Sequence, residues 1–102
     1  MSTIQDRIKK EITQNKIVLY MKGTPQAPQC GFSAATAQCL STLGVPFHTV
    51  NVLADEEIRQ GIKEFANWPT IPQVYINGKF VGGCDIVREL FESGELKKLI
   101  EA

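Results

Sequence analysis

The chain has 102 residues, 43% apolar and 22% charged, a composition that suits one soluble α/β-sized domain with a single modest core and leaves no room for two. Eleven basic residues cancel eleven acidic ones, so no net field favours nucleic acid or a membrane surface as partner, and any anion site must be local. Three cysteines, at 30, 39 and 84, have neither the number nor the spacing of a disulfide scaffold or a zinc site.

The first sixteen residues are polar, include Asp6 and Glu11, and lack an apolar stretch of the secretory kind. No run approaches membrane-spanning length. A reducing cytoplasm is the expected compartment, and an organelle protein already stripped of a targeting segment would read the same way. Within this polar start, Ile4, Ile8 and Ile12 recur every four residues behind Thr3 and Asp6, which predicts an amphipathic helix over 2–15 opened by a capping box. Ile17 to Met21 is a continuous apolar run, the pattern of a strand buried on both faces. A loop with Pro25 and Pro28 leads to a helix over 30–43 that stops at Gly44, and a second strand is predicted over 47–52. Strand, helix and strand in this order make a right-handed crossover with parallel strands.

Asp55 can cap a helix reaching about Asn67, with Ile58, Ile62, Phe65 and Ala66 on one side, before Trp68-Pro69 ends it. Two short strands, 73–77 and 79–81, meet at Asn77-Gly78, a strong hairpin signal. Gly82-Gly83 breaks the second strand, Asp85 opens a further helix, and Leu96, Leu99 and Ile100 mark a last short one. The expected fold is therefore α/β: a small mixed sheet, a parallel pair beside an antiparallel pair, with helices on both faces, the whole of 1–102 being one domain.

The chemistry concentrates at Cys30, where loop and helix meet at the carboxyl end of the first strand, the place where open α/β sheets hold their ligands. A thiol at a helix start faces unpaired backbone N–H groups and the positive end of the macrodipole, and Lys22 adds a full charge if the loop folds back. A free cysteine of pKa ~8.5 is only a few per cent ionised at neutral pH, so these influences decide whether Cys30 is a reactive thiolate, as we expect. A dithiol motif would carry a second cysteine three residues on; this chain has Ser33 there. Serine cannot resolve a mixed disulfide, so the partner thiol must come from outside the motif.

Three segments carry a resemblance. Pro28-Gln-Cys30-Gly-Phe-Ser33, then Trp68-Pro-Thr-Ile-Pro72 before a strand, then Gly82-Gly83-Cys84-Asp85 opening a helix, resemble the monothiol glutaredoxins of the Cys-Gly-Phe-Ser class, of the bacterial single-domain type, along the whole domain. The resemblance implies a thioredoxin-like fold with a four-stranded mixed sheet, a cis peptide bond before Pro72, and glutathione as the outside thiol. It further implies that backbone groups of Thr70 and Ile71 pair with the cysteinyl part of glutathione and that Lys22 and Arg59 hold its glycyl carboxylate. The N–H groups of Cys84 and Asp85 would take the γ-glutamyl carboxylate, and the Asp85 side chain its ammonium. A glutathione tripeptide has two carboxylates and one ammonium, and the charges at these positions complement all three.

The family also implies a [2Fe–2S] cluster held between two protomers, each giving Cys30 and one glutathione, for donation to apo iron–sulfur acceptor proteins. Two other functions stay open: a glutathione-dependent thiol–disulfide oxidoreductase of weak activity, and a regulatory partner of another small protein in a heterodimer. Cys39 lies about 13.5 Å along the same helix from Cys30, beyond disulfide reach, and is expected to pack in the core. Cys84 is left between a backbone role and a secondary disulfide with Cys30, and Phe32 between core and exposed ligand surface. Trp68 reads as packing, and His48 as carrying no chemistry.

Overall fold

The structure is a computed structural model that describes residues 3–102; the expected helix start at Ser2 lies outside them. Helix α1, Ile4–Gln14, opens as predicted: the Thr3 hydroxyl accepts the Asp6 N–H at 3.1 Å, and the Asp6 carboxylate accepts the Thr3 N–H at 3.3 Å. Strand β1, Ile17–Met21, follows and is buried along its whole length.

The apolar run of β1 puts it at the centre of the sheet. On one side it pairs in parallel with β2, His48–Asn51; on the other it pairs antiparallel with β3, Gln73–Ile76, and β3 in turn pairs antiparallel with β4, Lys79–Gly82. The spatial order β2-β1-β3-β4 is the mixed four-stranded sheet expected. Side chains alternate along a strand, so Ile17, Leu19 and Met21 face one layer while Val18 and Tyr20 face the other.

The first layer is completed by α2, Gly31–Thr42, by α4, Cys84–Ser93, and by α5, Glu95–Glu101, through Leu40, Val87, Leu96 and Ile100. The second is completed by α1 and by α3, Glu56–Phe65, through Ile8, Ile12, Ile58 and Ile62. The single core read from the composition is thus divided by the sheet. Fully burying one such aliphatic side chain contributes roughly 1.5–3 kcal/mol, which is why the apolar spacing dominates the local choices.

Several boundaries differ from the expected ones by a residue, with β4 running through Gly82 instead of breaking there, and three differences have a physical cause. Strand β2 is shorter than 47–52, because Val52–Ala54 forms a single 3-10 turn: the Asn51 side chain accepts the Leu53 N–H at 3.0 Å and draws the chain out of the sheet. Helix α3 is capped by Asp55, which accepts the N–H groups of Glu57 and Ile58, but ends at Phe65 with Asn67 at φ 51°. Helix α4 starts at Cys84 with Gly83 as its N-cap, so Asp85 lies inside the first turn instead of opening it. The hairpin is as predicted, Asn77 and Gly78 both taking positive φ, 53° and 78°, as a tight turn between right-twisted strands requires.

Candidate functional site

Cys30 is the N-cap residue of α2, in extended conformation at φ −153° and ψ 132°, at the end of the loop that leaves β1. As a thiol it closes no capping hydrogen bond. The backbone N–H of Ser33 nevertheless faces the sulfur, and with the Phe32 N–H, the Ser33 hydroxyl and the Lys22 charge it outweighs partial burial and holds the thiol below its ordinary pKa. The helix start therefore favours the thiolate.

Ser33 has no exposed surface. Its Oγ accepts the Lys22 N–H at 3.0 Å, so the same side chain ties the β1–α2 loop to the helix, and its hydroxyl adds to the influences that favour the Cys30 thiolate. Elsewhere the loop is closed on itself: the Gln29 N–H donates to the Lys22 carbonyl at 2.9 Å, and Gly23 donates to Asn51 Oδ1 at 2.9 Å. Gly23 sits at φ 91°, and a Cβ there would lie 2.6 Å from the Ala27 carbonyl oxygen, so this loop admits only glycine at that position.

A groove of about 200 Å³ lies beside the start of α2, walled by Phe32, Trp68 and Ile86 and floored by Thr70, Ile71, Pro72, Gly83, Cys84 and Asp85. Five residues singled out in the sequence, Thr70, Ile71, Pro72, Cys84 and Asp85, therefore meet in one place. The Ile71–Pro72 peptide bond is cis, as expected. The Thr70 carbonyl is already occupied by the side-chain amide of Gln73 at 3.2 Å, whereas no backbone group of Ile71 enters a backbone hydrogen bond among the described residues. No side chain caps α4, so its first N–H groups, those of Cys84 and Asp85, open onto the groove as an anion-binding end.

Lys22 and Arg59 do not line the groove. Lys22 acts on Cys30 through its charge, and Arg59 has a buried Nε without a partner, its Nη1 standing 3.9 Å from Glu56. A buried guanidinium N–H left unpaired is costly unless an acceptor arrives. Phe32 is 62% exposed, which settles it as surface. Cys39 and Cys84 are buried free thiols, and burial pushes Cys39 up. Trp68 packs on Phe80 with ring centroids 5.4 Å apart and also forms a groove wall. His48 pairs with Glu11 at 3.3 Å, and Glu11 also accepts the Tyr20 hydroxyl at 2.6 Å, a structural tie between α1 and the sheet.

Sequence reasoning missed two residues here. Asn51 was read only as strand, and Gln73 only as the first residue of a strand, although a polar side chain next to an apolar run is the one signal that marks both.

Comparison with known proteins accords with this geometry. The family model described as Glutaredoxin matches residues 17–81. A Synechocystis protein named as an uncharacterized monothiol glutaredoxin, ycf64-like, is 60% identical over 95 residues, 93% of this chain and 89% of that one. Reduced apo GrxS14 of poplar superposes with a TM-score of 0.84 at 49% identity, covering 97% of this chain and 91% of the poplar chain. At the level of fold alone, a glutaredoxin–glutathione complex from buckwheat matches with a TM-score of 0.85 at 23% identity over 96% of this chain and 87% of its own. With a thioredoxin-like sheet, one cysteine in its Cys-Gly-Phe-Ser segment and relatives of this kind, the chain belongs to the glutaredoxin family, among its monothiol members.

Proposed function

We propose that residues 1–102 form one glutaredoxin domain that binds glutathione and, as a homodimer, carries a [2Fe–2S] cluster as cargo for apo iron–sulfur acceptor proteins in the cytoplasm. The observation that carries this reading is the pairing of an activated Cys30 with a buried Ser33 where a second thiol would stand. Cys39 and Cys84 are buried, so Cys30 is the accessible thiol among the described residues. A [2Fe–2S] cluster needs four thiolates; two Cys30 and two glutathione thiolates supply them.

Glutathione would lie in the groove with its cysteinyl part along Ile71. Its γ-glutamyl carboxylate would meet the N–H groups of Cys84 and Asp85, and its ammonium the Asp85 carboxylate. Lys22 and Arg59 remain for the glycyl carboxylate, and the unpaired Nε of Arg59 supports that role. The buckwheat neighbour is a glutathione complex on the same fold.

The lowered Cys30 pKa also favours a second reading, glutathione-dependent oxidoreduction. There the Cys30 thiolate attacks the glutathione sulfur of a protein mixed disulfide and releases the protein thiol; a second glutathione thiolate then attacks the Cys30 adduct, giving glutathione disulfide and free Cys30. A third form replaces one protomer by a small regulatory protein on the same surface. Anaerobic reconstitution with iron, sulfide and glutathione, read by visible spectroscopy and sizing, separates them. A coloured dimer that bleaches on Cys30→Ser or on removal of glutathione supports the carrier; a colourless monomer that rapidly deglutathionylates a substrate overturns it in favour of the enzyme.

A further inference from the structure

Gln73 has no exposed surface, yet it is the polar member of a strand otherwise made of Val74, Tyr75 and Ile76. Its backbone pairs with Tyr20 of the central strand, so its Cα is held in register against a fully buried neighbour. From there the side-chain amide reaches back: Nε2 donates to the Trp68 carbonyl at 3.1 Å and to the Thr70 carbonyl at 3.2 Å. Oε1 accepts the Tyr75 hydroxyl at 3.0 Å. Both amide hydrogens and the carbonyl are thus engaged, and a buried amide engaged at both ends has one orientation only.

Tyr75 is equally constrained. Its ring lies edge-on to Tyr20 at 5.7 Å and to Phe65 at 6.0 Å, and against Phe80 at 5.4 Å. Its hydroxyl can therefore point at Gln73 and nowhere in solvent. The amide clamps two carbonyls on either side of Pro69, and neither backbone group of the next residue, Ile71, has a backbone partner among the described residues.

We propose that Gln73, backed by Tyr75, is the positioning residue of the glutathione groove: by holding the Trp68 and Thr70 carbonyls inward it fixes Ile71 as the edge on which the ligand pairs. The proposal rests on the glutathione reading above, which assigns that edge to the ligand but gives no role to Gln73. A plain packing role would affect stability alone; positioning affects affinity as well.

Gln73→Met keeps the length of the side chain but leaves both carbonyls and the Tyr75 hydroxyl unpaired, and Tyr75→Phe removes one hydroxyl. Titration calorimetry with reduced glutathione should show affinity about tenfold lower for Gln73→Met and about threefold lower for Tyr75→Phe, as loss of buried hydrogen bonds entails, and the double variant should be no worse than Gln73→Met alone. The pH midpoint of Cys30 alkylation should not move, since its determinants lie on α2 and the loop before it. In ligand-free protein, the NMR order parameter of the Ile71 N–H should fall in both variants, in Gln73→Met from the rigid range of about 0.85 to below about 0.6. Should Gln73→Met fail to fold, Tyr75→Phe carries the same test. Variants that melt lower but bind glutathione within twofold of wild type overturn the proposal. If the wild-type chain binds no glutathione, the functional reading fails, and an unchanged Ile71 order parameter in the variants then overturns the positioning role by itself.

Discussion

Ser33 stands where a dithiol protein would carry its second sulfur, and its burial gives it work that a missing thiol would not have. The hydroxyl accepts the Lys22 N–H and helps to hold the Cys30 thiol below its ordinary pKa, so one small side chain fixes the loop and favours the thiolate. Ser33→Ala should move the pH midpoint of Cys30 alkylation upward toward that of an ordinary thiol. It should also cost roughly 1–3 kcal/mol of stability by orphaning a half-buried N–H, measured by urea unfolding. The sign follows from linkage: a depressed thiol pKa adds stability above the unfolded value, and that contribution is lost as pH falls through the folded one. A serine in this register reads in sequence only as the absence of cysteine, because nothing local announces that its oxygen is enclosed. Cys30 was legible for the opposite reason, since its Pro- and Gly-rich approach and the helix after it are local signals.

Between β1 and α2 the chain needs nine residues, Lys22 to Cys30, and still lies down firmly because it is tied to itself and to a neighbouring turn. The tie to the neighbouring turn is Asn51, whose Oδ1 accepts from both Gly23 and Leu53 and so links the start of the loop to the turn after β2. Asn51→Ala should speed amide exchange at Gly23 and Thr24 by at least tenfold, the equivalent of about 1.4 kcal/mol of local opening, while leaving exchange in β1 within the global change. The helices and strands at large were readable because their apolar spacings are local. The 3-10 turn was not: Val52 continues the apolar pattern of β2, and Asn51 ends it with one oxygen that caps Leu53 nearby and holds Gly23 from a distance. The start of α4 was misplaced by one residue for a related reason. Aspartate is a favoured N-cap by propensity, but here glycine takes the capping position where the backbone approaches the Pro72 carbonyl, at 3.2 Å from a Cβ built on Gly83.

At the scale of the whole molecule, the apolar run of β1 dictated its central place, the Asn77-Gly78 pair dictated the antiparallel edge, and strand–helix–strand order dictated the parallel pair, so the topology followed from short segments. The groove could be inferred from the sequence only through motif resemblance, because it is assembled from residues 36 to 54 positions apart, Phe32 on one element and Trp68 to Ile86 on others. Lys22 and Arg59 remain outside its walls. The two helices that begin beside this groove, α2 and α4, both lack a side-chain cap, in a chain whose formal charges sum to zero. An approaching tripeptide anion thus meets no attraction at long distance and a directed pull only across the final few ångströms. Stopped-flow association with glutathione should therefore slow by less than about threefold between 0.01 M and 0.15 M salt, over which the Debye length contracts from about 30 Å to about 8 Å; a decline of tenfold or more would reveal long-range steering that a balanced molecule lacks.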